Sequence, residues 1–371
     1  MAKLRKTYKF RLYPTKKQIQ ILENQFELCR WIYNETLALK KKLWEEHKIN
    51  LSLYDLNKKL TEWKELNPKL KQVHSQVLQK VQERVDWAYQ GFFRRIKTGL
   101  TSGFPRFKGK NQLKSICFKQ GGFKLTIDNK RINISKTGLI KLKLHRQIKG
   151  EIKTCSVIRQ PTGKFFVCFS VEKDIIPLPK TNKTVGCDLG IKTLITLSDG
   201  TNIANPKFLK NEEKSLKKAQ SQKDKAKNAA DWKTFNRKKK VVAFINERIV
   251  NKRENFSYQT ANLLAKNYDT ICFENLNIDG MNSFSPINKS IRDVAWRSLI
   301  QKTQSRAEHA GKTVVLIDPC NTSRECSRCN KIHENFDLKQ EFMDCSCGNK
   351  MQRDYNASIN ILRRGLASLC P

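Results

Sequence analysis

Apolar and polar positions alternate from the start of the chain. Arg5-Lys6-Thr7-Tyr8-Lys9-Phe10-Arg11-Leu12-Tyr13 has period two, which predicts a strand with one face on a core and a cationic face, Lys9 and Arg11, outward. Pro14 ends it, and Thr15 followed by Gln18 has the form of a capping box. The period then becomes helical: Ile19, Leu22, Phe26, Cys29, Tyr33 and Leu37 share one face, flanked by Arg30, Trp31 and Asn34. Residues 53–98 are also expected to be helical, with Val73, Val77, Val81, Val85, Ala88, Phe92 and Ile96 keeping the same spacing over more than six turns. Gly103-Phe104-Pro105-Arg106-Phe107-Lys108 cannot continue it and reads as a loop. Period two returns between Phe118 and Glu172, with turns at Asp128-Asn129 and Gln160–Gly163, as in a small barrel that the strand at 5–13 can join. Ile175–Lys180 is a proline-stiffened linker and an expected domain boundary.

The second half mixes both periods. Val185–Lys192 and Leu194–Leu197 predict a buried strand, a bend and an antiparallel partner, with Asp188 at the end of the first strand. Residues 206–267 read as a helical hairpin, Tyr268–Leu276 as a strand ending at Glu274, and Asp293–Gly311 as a helix closed by glycine. Lys312–Pro319 reads as a further strand, and Asp354–Leu366 as a last helix.

Charge changes this picture. The 371 residues carry 73 Lys and Arg against 34 acids, a net charge of +39 that points to a polyanion partner. Sixteen of these cations lie between Lys207 and Arg253, including Arg237, Lys238, Lys239 and Lys240, which suggests a surface that tracks a phosphate backbone. Lys9, Arg11, Arg30, Arg106 and Lys108 are further candidate contacts, the last two among aromatics suited to unstacked bases. No apolar run approaches the ~20 residues of a spanning helix, so a membrane is not expected. Of twelve cysteines, six are scattered between Cys29 and Cys272, which fits a reducing cytoplasm. Four cluster as Cys326, Cys329, Cys345 and Cys347, two pairs separated by 15 residues, the pattern of a structural zinc ribbon with one Zn²⁺. The second pair is CxC, so Cys320 and His333 stand as alternatives to Cys345.

A carboxylate within a buried strand is either satisfied structurally or part of a metal site. Asp188 gains two counterparts, Glu274 at a later strand end and Asp354 at a helix start, 86 and then 80 residues on. The order of strands and helices outlines an RNase H-like α/β domain in which these acids can converge. Convergent carboxylates hold two magnesium ions roughly 3.5–4 Å apart for phosphodiester cleavage.

Val185–Lys192, Phe273-Glu274-Asn275-Leu276, Thr322-Ser323 with the cysteine pairs, and Arg353-Asp354-Tyr355-Asn356-Ala357-Ser358 together resemble TnpB, a family of RNA-guided nucleases of insertion sequences related to type V CRISPR effectors. The resemblance extends to Tyr8–Thr15 and Gly103–Lys108. It implies a split wedge-like β-barrel (1–14 and 101–180) holding a helical recognition insertion (15–100). A RuvC nuclease domain (181–371) with an inserted zinc ribbon (319–350) would follow. It implies Asp188, Glu274 and Asp354 as catalytic Mg²⁺ ligands and the four cysteines as zinc ligands. It also implies a guide RNA from the element's end and double-stranded target DNA. A monomer in a prokaryotic cytoplasm, nucleoid-associated when bound to DNA, is expected. The family's first cysteine of the second pair falls at Asp344, one place before Cys345. A cleavage-inactive repressor and a transposase binding DNA directly are the competing expectations.

Overall fold

The computed structural model describes residues 3–119, 121–277, 293–334 and 340–369. The chain divides into two compact units, Met1–Asp174 and Ile175–Pro371.

In the first unit, β1 (Lys3–Tyr13) is the central strand of a seven-stranded antiparallel sheet. The others are β2 (Ser115–Phe118), β3 (Phe123–Leu125), β4 (Arg131–Ile134), β5 (Gly138–Lys143), β6 (Glu151–Arg159) and β7 (Phe165–Asp174), in the order β2-β6-β7-β1-β5-β4-β3. β1 pairs with β7 from Lys3↔Asp174 to Leu12↔Phe165 and with β5 at its far end. The sheet curls into a nearly closed barrel. Alternation does the sorting: Tyr8, Phe10 and Leu12 face inward with Phe165, Val167, Phe169, Ile132 and Ile140, while Lys9 stays outside.

Three helices intervene between β1 and β2: α1 (Lys16–His47), α2 (Leu53–Leu66) and α3 (Ser75–Lys97). Thr15 and Gln18 make the reciprocal capping box that starts α1, whose Leu22, Phe26, Cys29, Tyr33 and Leu37 are buried against the same core as the sheet. The helical region expected over 53–98 is formed in pieces, interrupted between α2 and α3. Pro68 opens a short 3-10 turn to Gln72, Val73 is extended, and α3 starts only at Ser75. The apolar stripe also outruns the core: Val77, Val81 and Val85 are buried, but Ile96 is 51% exposed. Ile127, which continues the alternation of Phe123 and Leu125, lies past β3 and is fully exposed.

In the second unit, β8 (Thr184–Leu189), β9 (Thr193–Leu197), β10 (Asn202–Ala204), β11 (Thr270–Glu274) and β12 (Thr313–Ile317) form a sheet of order β10-β9-β8-β11-β12. The first three are antiparallel, whereas β11 runs parallel to both β8 and β12. Two helices, α4 (Phe208–Asn228) and α5 (Trp232–Asn267), fill the connection from β10 to β11, and Asp231 caps α5 by accepting from Thr234 N–H at 2.9 Å. Asp293 and Val294 are helical as expected, but Ala295 in the left-handed region interrupts the helix, and α6 (Trp296–Ala310) begins after it. It ends at Gly311, whose φ of 67° suits glycine. β13 (Phe342–Asp344) and β14 (Lys350–Gln352) form a small hairpin before α7 (Arg353–Ala367). Among the described residues, no helix is long and apolar enough to cross a membrane.

α7 lies unusually close to the sheet. A Cβ on Gly186 of β8 would fall 2.6 Å from Leu362 N and nearer still to Ser358 O. A Cβ on Gly365 of α7 would fall 2.8 Å from Cys272 Cβ of β11. Main-chain atoms cannot give way as a flexible side chain can, so Gly186→Ala should destabilise the second unit by about 2–4 kcal/mol. Gly103→Ala, with nothing near its added methyl, should be close to neutral. Thermal unfolding of the two variants side by side checks this, and equal melting temperatures would refute it.

Candidate functional site

Strand register brings the first two acids together. β8 and β11 pair in parallel up to Cys187↔Phe273, so the next rung sets Asp188 beside Glu274. Adjacent strands lie about 4.8 Å apart, and residues facing across a parallel pair point to the same side. Gly186 and Asp188 therefore share a face with Cys272 and Glu274, and it is this face that α7 covers. Asp354 is in the first turn of α7, one turn before Ser358, which abuts Gly186.

Electrostatics records the proximity. Burial, then the charge of Glu274, then that of Asp354 push the Asp188 carboxyl well above the usual carboxylate range, against the opposing effects of Arg353 and the Leu189 N–H. Burial also raises Glu274, opposed by the Thr322 hydroxyl, which donates to Oε1, and by Arg364. Arg353 donates from Nε and Nη2 to Asp354 Oδ1 at 3.1 and 2.9 Å. The three acids are neighbours and not a closed cage. Among the described residues, the only group of three or more Cys, His, Asp or Glu with ligand atoms all within 4.8 Å of one another is the cysteine cluster. The all-oxygen donor set suits a hard divalent cation, whose charge would relieve the crowding at Asp188.

Several residues that hold this site are not evident from sequence pattern. Asn356 and Asn360 of α7 are fully buried polar residues. Asn356 accepts from Ser327 N–H at 2.8 Å and donates to Glu325 O at 2.7 Å. Asn360 donates to Thr322 O at 2.9 Å and to Glu325 O at 2.7 Å. Arg363 and Arg364 clamp the Glu325 carboxylate. Thr322, in turn, contacts Glu274 through its hydroxyl. Thr322 and Asn356 lie in motifs visible in the sequence, but their partners are 48 and about 30 residues distant.

The segment so fastened carries the first cysteine pair. Cys326 Sγ lies 3.7 Å from Cys347 Sγ, and Cys329 Sγ lies 3.6 Å from Cys345 Sγ. A tetrahedron with ~2.3 Å metal–sulfur bonds has edges of about 3.8 Å, so the four thiols fit a metal such as zinc. Burial disfavours the Cys326 thiolate, but the Cys329 N–H, the Asn349 amide and the Arg328 N–H outweigh it, and its pKa is lowered. Cys345 belongs to the cluster, whereas Cys320 and His333 do not. Asp344 turns outward and pairs with Lys350 at 3.1 Å.

The cationic candidates divide by role. Arg30 pairs with Glu27 at 2.8 Å and donates to Lys108 O at 3.2 Å, so it pins a loop. Lys108 is half-buried, its backbone N–H held by Asn34 Oδ1 at 2.8 Å and its ammonium 4.4 Å from the Tyr33 ring centroid. Arg106, Arg237, Lys239 and Lys240 are exposed, and Lys238 donates to Gln222 at 2.8 Å. Lys9 and Arg11 flank the Phe166 ring at 4.4 and 5.1 Å on the outer barrel face. On that face Arg11 stands opposite Lys143, and Arg131 opposite Lys141. Like charges directly opposite in a sheet are destabilising, which an anion laid across them would relieve.

The raised Asp188 carboxyl has a thermodynamic consequence. An acid whose native pKa exceeds its unfolded value costs stability as pH rises from about 4 through the native value. Chelator-treated Asp188→Asn should therefore melt a few degrees above wild type at pH 8, with the gap closing toward pH 4. An Asn variant less stable than wild type at pH 8 would contradict the site geometry.

Family models match most of the chain. Residues 1–48, the region of β1 and α1, match one described as a helix-turn-helix domain. Residues 166–284 match one described as "Probable transposase", and residues 296–361 one described as "Cas12f1-like, TNB domain". A Streptomyces pristinaespiralis protein named "Putative RNA-guided DNA endonuclease" is 30% identical over 99% of this chain and 91% of its own length. "Putative RNA-guided DNA endonuclease InsQ" of Escherichia coli (strain K12) is 28% identical over 98% and 92%. The solved structure of a Cas12f1–sgRNA–target DNA complex shares the fold, with a TM-score of 0.60 at 13% identity over 97% of this chain and 98% of that one. With a relative this similar over nearly the whole of both chains, the protein belongs to the TnpB family.

Proposed function

We propose that this protein is an RNA-guided DNA endonuclease of a transposable element, cutting by magnesium-dependent hydrolysis at Asp188, Glu274 and Asp354. The observation that carries this is the register that aligns Asp188 with Glu274 on the sheet face covered by α7, whose first turn holds Asp354. The strand order, with one antiparallel arm and two parallel strands, supports reading the second unit as an RNase H-like (RuvC) domain. The cysteine cluster supports one structural zinc. The barrel of the first unit with its helices supports a wedge and recognition module. The like-charged outer face of the barrel and the basic α4–α5 hairpin suit nucleic-acid backbones.

In this reading each residue has a defined task. When bound, magnesium supplies the acidity that readies a water and the positive charge that meets the leaving oxygen. Asp188 provides the central carboxylate, on a rigid strand end. Glu274 is kept oriented by the Thr322 hydroxyl, and Asp354 is held by Arg353. Guide pairing reads the target sequence, while the cationic surfaces recognise backbone shape.

Asp188→Ala, Glu274→Ala and Asp354→Ala should each lower cleavage of a guide-matched DNA at least about a thousandfold. Each should leave RNA retention within about twofold of wild type. Normal cutting by all three would end the assignment. Metal analysis should find one zinc per chain, and Cys345→Ser should lose it whereas Asp344→Ser should not. Zinc retained by Cys345→Ser would show that the ligand set is different.

A further inference from the structure

A cavity of about 570 Å³ opens in the first unit between the C-terminal part of α1, the second half of α3 and the loop that follows it. Its size falls in the ~300–1,000 Å³ range of sites that hold small ligands. Five aromatic rings line it: Trp44, Tyr89, Phe92, Phe93 and Phe104. Phe104 meets Tyr89 and Phe92 edge-on, with centroids 5.4 Å apart in each case. The loop that supplies Phe104 is fixed further along, where the backbone of Lys108 exchanges hydrogen bonds of 2.8 and 3.0 Å with the Asn34 side chain. The wall is therefore built in advance, yet Trp44, Phe93 and Phe104 stay 54, 50 and 45% exposed.

Core packing does not account for half-exposed rings gathered around an open cleft. The surroundings narrow the choice of occupant. Lys41 belongs to the wall, Lys48 lies 5.9 Å from the Trp44 ring centroid, and Arg94, Arg95 and Lys97 occupy the last turn of α3, while the buried Lys40 is held by Leu51 O at 2.8 Å and Asp86 at 3.4 Å. Glu45 is the one acid among the lining residues, and it pairs with Lys41 at 3.6 Å. An apolar slot within a cationic rim complements a flat ring attached to a phosphate.

We infer that this cleft holds an unpaired nucleobase of the guide RNA, stacked against Trp44, Phe93 or Phe104 with its phosphate toward Lys41 and Lys48. The inference rests on the reading of the chain as an RNA-guided enzyme. RNA is favoured over DNA because folded RNA splays bases out of loops and bulges, whereas the target arrives as a paired duplex. The guide is also the partner in place before any target is met, when the exposed rings need cover.

The test uses the full chain assembled with RNA transcribed from the element's end. Chemical probing at single-nucleotide resolution compares wild type with Phe104→Ala and Trp44→Ala, both surface changes that should fold. One or two nucleotides protected in the wild-type complex should become reactive in both variants. RNA affinity should fall about tenfold, within the range of one lost base stack. Trp44→Phe, which keeps a stacking ring, should restore protection. Unchanged reactivity in a wild-type-like complex would overturn the cleft assignment alone. So would protection that appears only on a DNA strand added later, or a cleft filled by a protein. A wild-type chain that retains no RNA would overturn the RNA-guided reading as well.

Discussion

The second unit depends on how closely α7 approaches β8 and β11. Helices usually rest on a sheet through a layer of side chains. Here Gly186 and Gly365 remove that layer at two points, so helix backbone and strand nearly touch. The small apolar group of Cys272, Ile317 and Ile361 fills what space remains. This contact fixes where the first turn of α7 sits, and with it Asp354 relative to Asp188. A looser interface would let the acids separate and relieve their mutual repulsion. The fold denies them that relaxation, so burial and the neighbouring charges keep the Asp188 carboxyl well above the usual carboxylate range.

The same helix is unusually polar on its buried side. Asn356 and Asn360 would be costly there without partners. They spend their amides on the backbone around Glu325, and Glu325 spends its carboxylate on Arg363 and Arg364. The outcome is a fully paired network joining the cysteine-bearing segment to α7, and Thr322 extends it to Glu274. The segment that carries the first cysteine pair is thus fastened to the helix that bears Asp354, and its Thr322 orients Glu274.

Much of this was legible in the chain, for local reasons. β1 and the start of α1 follow from alternation and a capping box, signals that span few residues. The placement of Asp188 and Glu274 at strand ends was likewise visible. Their shared rung was not, because register between strands 86 residues apart is a property of the assembled sheet. The break before α3 was signalled by Pro68, but the valine spacing begins at Val73, which is extended, and so concealed where the helix resumes. Whether Cys345 or a neighbour completes the thiol cluster was open in the sequence. It depends on a tight turn in which Cys345 N–H bonds Asn349 O and Gly348 adopts a φ of 83°. The divided roles of Arg30 and Arg106 were equally hidden, since charge alone does not distinguish a pin from a contact.

The position of β1 in its sheet bears on how the protein is made. β1 is the central strand, yet its two neighbours come from residues 138–143 and 165–174. On the ribosome it must wait for more than a hundred residues before either can pair with it. During that interval the apolar face of Tyr8, Phe10 and Leu12 and both backbone edges of the strand are uncovered, the type of surface that recruits other chains. α1 can form early and shield part of it, since its buried face shares that core. The alternating cations, Lys9 and Arg11 among them, also keep nascent copies apart by repulsion. The charge that suits this strand to a polyanion in the finished protein thus also serves as a gatekeeper during synthesis.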